Sequence, residues 1–452
     1  MPRDPAGIDG DRILADDKNH VFHSWAAQER FSPLGISAGS GAWFSDLEGN
    51  RYLDFASQLV YANLGHQHPR IIEALKHQAD RLCLAAPDFA VDVRGKAARM
   101  IAERAPRGLN KVFFTNGGAE ANENAIRMAR LHTGRPKVLA AYRSYHGATA
   151  AAATATGEPR RWGSEPGIPG VVHFIGPYPY RSSFHASSPA EEGERALAHL
   201  AEIVMYEGAD SIAAILLETV VGTNGVLVPP DGYLAGVREL CDRHGIALIC
   251  DEVMVGFGRV GEWFAVDHWA VVPDLITFAK GVNSGYVPLG GVILSEEIAS
   301  SFATSPYPGG LTYSGHPLAC ATAIASMEVF EEEAILERVR DLGEKVVAPM
   351  LEEFVERHPS VGEVRGLGLF WAIELVRDRA TRRPLVPFDA SGEDALPMTD
   401  FANACKARGL WPWTHFNGVH VAPPLVIEEE DLRRGIETID ECLEVTDAYV
   451  TD

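Results

Sequence analysis

A short apolar run, Leu275-Ile276-Thr277-Phe278-Ala279, ends on Lys280 and Gly281, and a second, Ile246-Ala247-Leu248-Ile249-Cys250, ends on Asp251-Glu252. Runs of this length and composition read as buried strands, and the residues at their ends come to the carboxyl edge of a sheet, where open α/β sheets take their ligands. If the two strands are parallel, the Lys280 amine and the Asp251 carboxylate share one rim, and the chain between them is long enough for the crossover that parallel strands require. A lysine can form a Schiff base with an aldehyde, and a carboxylate can keep a pyridine nitrogen protonated so that the ring accepts electrons from a carbanion. Together they point to pyridoxal phosphate chemistry. Taken singly, each motif also fits an ordinary strand end, a solvated lysine or a carboxylate pair in a loop, so the weight lies in what accompanies them.

Three further segments could complete such a site. Lys111 to Asn116 reads as a strand, and Gly117-Gly118-Ala119-Glu120-Ala121 as the opening of a helix that reaches about His132. A glycine-rich turn at a helix N-terminus offers unpaired N–H groups and the positive end of the helix dipole to an anion, which makes Gly118 and Ala119 candidates for holding a phosphate. The same residues also fit a plain strand-to-helix turn. The strand Lys137 to Tyr142 leads to Tyr145-His146-Gly147, and the strand Ile212 to Leu217 delivers Glu218 to the rim. Two other motifs fail on context. Gly256-x-Gly258-x-x-Gly261 has the letters of a dinucleotide fingerprint, but Glu262-Trp263-Phe264 follows instead of a long helix. Asp267 also comes too early for the ribose carboxylate, expected about 20 residues on. His66 and His68 form a pair with no third ligand nearby, so no metal is expected.

Asp251-Glu252-Val253, then Gly256-Phe257-Gly258-Arg259-Val260-Gly261, then Asp274 through Lys280, resemble in that order the signature segment of the class III pyridoxal-phosphate aminotransferases. The similarity runs from about Gly41 to about Leu425 and is ω-aminotransferase-like. The resemblance implies ping-pong transamination through a Schiff base on Lys280, which serves as tether and as proton shuttle. It puts Asp251 at the ring nitrogen, Gly118 and Ala119 at the phosphate, and Tyr145 and Val253 on either side of the ring. His146 and Glu218 take supporting contacts around the cofactor. Thr312, in Leu311-Thr312-Tyr313-Ser314-Gly315-His316-Pro317, reaches the phosphate in a neighbouring subunit, which implies a homodimer with shared sites, or a tetramer built from it. Ser314 is the better placed of the two to cap the helix that follows. Val60 and Tyr61 become candidate walls of the substrate pocket. A racemase or aminomutase on the same scaffold would use the same lysine without a second substrate. A protein holding the cofactor for a structural or regulatory purpose is the rival from another class.

This sequence departs from the resembled pattern twice. Gly117 and Ala119 stand where hydroxyl residues are usual, leaving more of the phosphate to backbone N–H groups. Many ω-aminotransferases carry a carboxylate-binding arginine shortly before a Pro-Pro-Leu segment; here Pro423-Pro424-Leu425 follows a stretch with no arginine after Arg408, and Trp413 stands near the missing position. Arg259 or Arg383 could supply the charge instead. The aromatic content of this stretch favours a roomy, partly apolar pocket. The expected donor is therefore a primary amine or ω-amino acid, and the expected acceptor a small 2-oxo acid such as pyruvate.

The elements that must position these residues alternate strand and helix, which predicts an α/β chain of fold type I, a mostly parallel central sheet with helices on both faces, plus a smaller α+β domain. At 452 residues the chain is longer than one core usually grows. The expected division is an N-terminal segment 1–69 contributing to the small domain, a large cofactor-binding domain 70–330, and a C-terminal small domain 331–452. A hairpin is expected between Ala42 and Phe55, an antiparallel strand at Gly290 to Leu294, helices at 189–207, 230–244, 318–333, 335–357 and 396–408, and strands between 361 and 376. Residues 377–397 read as a loop. The charged lead-in before about residue 30 is expected to be partly helical, with Trp25 and Phe31 as anchors. A net charge of −22 opposes nucleic-acid binding, and no apolar run approaches membrane-spanning length. The absence of an apolar signal core and six dispersed cysteines with no Cys-x-x-Cys pair predict a cytoplasmic protein.

Overall fold

The computed structural model describes residues 9–451. Its largest sheet has seven strands, in the order Leu109–Thr115, Gly290–Ser295, Leu275–Phe278, Ala247–Asp251, Ile212–Glu218, Lys137–Ala141 and Val171–Phe174. The strands from Leu275–Phe278 across to Val171–Phe174 are parallel, and Gly290–Ser295 runs antiparallel to both its neighbours. Alternate residues of one strand enter different cores: Ile215, Leu217, Leu248 and Cys250 face one cluster, while Ala214, Leu216, Ala247 and Ile249 face another. A strand covered on both faces needs no polar positions, which is why these runs are continuously apolar. Each Leu or Ile buried this way contributes about 1.5–3 kcal/mol.

The helix Gly118–Thr133 lies on this sheet through Ala121, Ala125 and Ala129, all fully buried and spaced one helical turn apart. Small side chains let the helix approach closely, so its N-terminus is held against the carboxyl ends of the central strands.

Two smaller sheets complete the molecule. The hairpin Trp43–Asp46 and Arg51–Asp54 is extended by Ile36–Ser40 on one side and by Leu410–Trp411, parallel to Leu53-Asp54, on the other. Two segments far apart in the sequence are thereby tied together. The second sheet pairs Val361–Leu367, Phe370–Asp378, Gly418–Val421 and Trp413–His415, with Arg383–Pro384 alongside Phe370–Asp378.

Several elements differ from the sequence reading. The segment 335–357 is helical throughout but passes through a π-helical turn, Gly343–Val347, between Ile335–Leu342 and Ala348–Arg357. Pro349 lacks the N–H that a regular helix would use there, and Gly343 packs so closely on Gly368 that a Cβ would lie 2.4 Å from its carbonyl oxygen. The helices Asp92–Arg104, Ala150–Ala155 and Glu429–Asp447 are additional. Ser314 does not cap the helix Pro317–Glu332: its hydroxyl donates to the Phe114 carbonyl at 2.8 Å, and the cap position falls on His316. Lead-in residues form the helix Gly10–His20, but Trp25 is 66% exposed rather than anchored in a core. Glycines 256, 258 and 261 lie in turns and a bend followed only by the short helical turn Ala265–Trp269, and Gly258, at φ 93, abuts Phe330.

Candidate active site

Register sets the site. Glu218 pairs with Asp251, and Asp251 with Thr277, across adjacent parallel strands, so Glu218, Asp251 and Thr277 form a row at the carboxyl rim with Lys280 just beyond it. Strand alternation separates the Asp251-Glu252 pair. Asp251 lines a cavity of about 340 Å3, whereas Glu252 turns into the core and accepts from Thr219 Oγ1, Ala265 N and Val266 N at 2.7, 2.7 and 2.9 Å. Burial pushes the Glu252 pKa up to about 7.

Asp251 is 4% exposed and held by three neighbours. Its Oδ2 accepts from Asn122 Nδ2 at 2.7 Å and lies 2.8 Å from His146 Nδ1, while Oδ1 accepts from Val253 N at 2.9 Å. Asn122 is fixed in turn by Thr277, whose hydroxyl donates to its Oδ1 at 2.8 Å, and by the His146 carbonyl, which accepts from its Nδ2 at 2.8 Å. Neither Asn122 nor Thr277 was identified from the sequence, although Thr277 is the one polar residue inside its apolar run.

Lys280 begins a tight turn after its strand with φ 45, a left-handed conformation uncommon for a residue with a side chain, and it lines the cavity. Burial brings its pKa down to about 8; the charges of Asp251 and Glu218 oppose that fall, and those of Arg160 and Arg259 add to it. Glu218 accepts from Tyr145 N at 2.9 Å and Gly222 N at 2.8 Å, and burial lifts its pKa to about 7. The carboxylate therefore fixes the backbone of the Tyr145 turn.

At the other end of the cavity stands the N-terminus of the helix Gly118–Thr133, with no side chain capping it. Gly118 is close-packed, since a Cβ there would lie 2.7 Å from Val253 Cγ1, and a Cβ on Gly147 would lie 2.4 Å from Ala119 Cβ. An anion cradle at one end, a buried carboxylate at the other, an amine and an aromatic wall between them match the phosphate, ring nitrogen, aldehyde and ring face of pyridoxal phosphate.

Gly118, Ala119, Tyr61, Tyr145, His146, Glu218, Asp251, Val253 and Lys280 all line this cavity. Three residues singled out from the sequence do not. Val60 is 1% exposed and packs in a core cluster with Val220 and Val255. Trp413 stacks on His420 at 4.0 Å beside the same cluster. Thr312 is exposed on the surface of the chain. Of the two histidines, His66 is 3.0 Å from Asp54 and His68 is 3.5 Å from Glu333.

The arginines also resolve. Arg259 is fully buried and donates to Leu369 O, Pro423 O, Ser57 Oγ and Asn63 Oδ1, bracing the loops around it, with its pKa drawn down to about 9 by burial. Arg383 is exposed on a remote strand pair. Arg160, missed in the sequence, lies with its guanidinium 3.7 Å over the Tyr145 ring and 5.6 Å from Trp25. Its Nε donates to Glu158 at 2.6 Å, but the buried Nη2 has no partner among the described residues. The nearby His415 has a buried, unpartnered Nε2, and burial together with the Arg160 charge brings its pKa down to about 3. No spacing rule signals Arg160, because it comes from a short helical turn outside the strand-end pattern.

Comparison with known proteins agrees with this geometry. The family described as aminotransferase class-III matches residues 25–443. The putrescine–pyruvate aminotransferase of Pseudomonas aeruginosa is 35% identical over 426 residues, covering 92% of this chain and 91% of that protein. The taurine–pyruvate aminotransferase of Bilophila wadsworthia is 31% identical over 443 residues, covering 95% and 96%. The crystal structure of taurine:2-oxoglutarate aminotransferase from Bifidobacterium kashiwanohense, in complex with PLP and glutamate, superposes with a TM-score of 0.94 at 41% identity, covering 98% and 99% of the two chains.

Proposed function

This chain belongs to the class-III aminotransferases, enzymes that use pyridoxal phosphate, and on that basis we propose that it transfers the amino group of an acid-ended primary amine, an ω-amino carboxylate or sulfonate, to a small 2-oxo acid such as pyruvate. The observation that carries the choice of donor is the free Nη2 of Arg160 above Tyr145. A carboxylate or sulfonate at the far end of the donor would give the buried Nη2 a partner beside the one that Glu158 gives Nε, and bonds of this kind are the strong ones. A diamine would bring a second positive charge to the same place. The taurine-named relatives support an acid-ended donor, and the pyruvate-named ones the acceptor.

Bound pyridoxal phosphate supplies an aldehyde carbon to carry the amino group and a ring that withdraws negative charge from the substrate carbon. In this reading Asp251, kept in orientation by Asn122 and His146, would hold the ring nitrogen. The N–H groups of Gly118 and Ala119 hold the phosphate. Lys280 would tether the cofactor at rest, and its Nζ, with a pKa brought down to about 8 by burial, would serve as the base that takes a proton from the amine-bearing carbon of the donor. Tyr145 and Val253 would confine the ring, and Tyr61 adds a further wall of the cavity.

The same reading makes residues 70–330 the cofactor-binding unit and 1–69 with 331–452 a smaller unit over it, which the pairing of Leu410-Trp411 with Leu53-Asp54 supports. It makes the enzyme a cytoplasmic homodimer in which the exposed Thr312 serves the neighbouring site.

Competition among taurine, β-alanine and putrescine, with pyruvate as acceptor and one 2-oxo acid consumed per amine, tests the reading. The acid-ended donors should win on kcat/KM. Arg160→Gln should cost them roughly 1.5–3 kcal/mol, mainly as a higher KM, and leave putrescine little changed. A wild-type preference for putrescine would overturn the acid-ended donor without touching the cofactor assignment.

A further inference from the structure

A second cavity, of about 320 Å3, shares Glu218 as a wall with the candidate active site. Its lining comes from the carboxyl ends of three adjacent strands, including Phe174 and Leu217, and from Leu227 and Leu234. This surface is mostly apolar, as small-molecule sites usually are, with a few polar groups placed among it.

Two of those polar groups have nothing in the protein to bind. Tyr233 is 4% exposed and lines the cavity, yet its hydroxyl has no hydrogen-bond partner among the described residues, and burial alone raises its pKa. The hydroxyl is not sealed off within the core, so it is free to bond a molecule that enters the cavity. The second is Arg143. Its guanidinium lies 5.0 Å over the Tyr178 ring and 5.7 Å from that of Phe388, with no carboxylate or carbonyl bonded to it among the described residues. Arg143 also holds the left-handed conformation at φ 60, in the turn just after its strand, a strain that a solvent-facing arginine would not need. Nearby, Arg181 is tied to Glu374 and the Arg382 carbonyl, but its buried Nη2 is also without a partner.

We propose that this cavity is a second ligand site, distinct from the transamination site, for a small carboxylic acid with an apolar chain: Arg143 and the Tyr233 hydroxyl receive the carboxylate, and Phe174, Leu217, Leu227 and Leu234 enclose the chain. The common wall couples it to catalysis. The two Glu218 oxygens accept from Tyr145 N and Gly222 N, so a ligand pressing on Leu217, Glu218 or Thr219 reaches the turn that carries Tyr145.

Hexanoate is the probe, titrated calorimetrically into the holoenzyme with and without saturating isethionate, an acid-ended donor analogue that lacks the reacting amine and so occupies the transamination site without turnover. One hexanoate per chain is expected, with no comparable binding of hexanol. Leu227→Trp, which fills the cavity, should abolish binding, and Arg143→Gln should weaken it roughly tenfold while leaving kcat for β-alanine within about twofold. Tyr233→Phe should weaken it severalfold. In steady state hexanoate should inhibit without competing with the donor and should shift the visible circular dichroism of the bound cofactor. No saturable binding, or binding displaced by isethionate and unaffected by both Leu227→Trp and Arg143→Gln, would overturn the proposal. The second result would show the acid in the transamination site instead. Should Leu227→Trp fail to fold, Arg143→Gln decides alone, because the Arg143 side chain makes no hydrogen bond or ion pair within the described residues.

Discussion

Replacing Asp251 with Asn changes one atom in a carboxylate whose surroundings are fully specified. Two groups converge on Oδ2, Asn122 Nδ2 and His146 Nδ1, and a third, Val253 N, on Oδ1. An amide has a single oxygen, so it cannot serve Asn122 and Val253 at once, even if His146 changes tautomer to accept from the new NH2. At least one buried N–H is left facing another, which costs about 1–3 kcal/mol of stability. The loss of charge acts separately. A charged hydrogen bond to the ring nitrogen contributes roughly 1.5–3 kcal/mol, so donor deamination measured in a single turnover should slow by about ten- to a hundredfold. Lys280 also loses the strongest of the charges that hold its pKa up, so its pKa should fall below about 8. Three measurements separate these effects: the melting temperature of the cofactor-free variant, the single-turnover rate, and the cofactor content after dialysis, which should stay near normal because the phosphate cradle is untouched. A variant that melted lower but deaminated its donor at the parent rate would refute the assignment of Asp251 to the ring nitrogen and leave it a structural residue.

Cofactor-free protein should regain its visible band on addition of pyridoxal phosphate at a rate that rises about tenfold per pH unit below 8 and levels off above it, because only the neutral Lys280 amine is nucleophilic and burial brings its pKa down to about 8. Lys280→Ala should show no such band and no turnover while the chain stays folded; a pH-independent rate would refute the role of that amine. Thr312→Val should weaken cofactor binding by roughly 1.5–3 kcal/mol at most, and mixing it with Lys280→Ala subunits should restore activity. No recovery after verified subunit exchange would mean that Thr312 serves its own chain or none. Gly117→Ser should tighten cofactor binding by about 0.5–1.5 kcal/mol, since its backbone is extended, a Cβ there meets nothing within 4 Å, and a hydroxyl would stand at the helix N-terminus. Weaker binding in that variant would show the hydroxyl competing for the N–H groups instead of adding to them.

The central sheet and its rim were legible because their signals are local. An uninterrupted apolar run that ends on a charged residue can be read without knowing its neighbours, and Glu218, Asp251 and Lys280 each end such a run. The residues that hold them in place were not legible in the same way. Asn122 lies inside a helix and becomes a ligand of Asp251 only because Ala121, Ala125 and Ala129 bring that helix down onto the sheet. Arg160 comes from a short helical turn and gains its meaning from Tyr145 and His415, far apart in the sequence. Val60 and Trp413 were placed by position along the chain, and the fold turned both towards the core around Val220 and Val255. The helix Glu429–Asp447 was not read from the sequence; its acidic first turn complements the helix dipole.

The site's central pair illustrates how much of its chemistry comes from burial set against charge. Taken out of water, Lys280 would lose its proton and Glu218 would keep one, and each moves that way, to about 8 and about 7. Their neighbours keep both within reach of neutrality: Asp251 and Glu218 hold Lys280 up, while His146 and the N–H groups of Tyr145 and Gly222 hold Glu218 down. An amine that both binds an aldehyde and shuttles a proton needs both protonation states accessible near its working pH. Arg160 and Arg259 push Lys280 the other way. An acid-ended donor paired with Arg160 would cancel part of that push and raise the lysine's proton affinity as it enters. Substrate recognition and the basicity of the catalytic amine would then be one electrostatic event, available to ω-amino acids and closed to diamines.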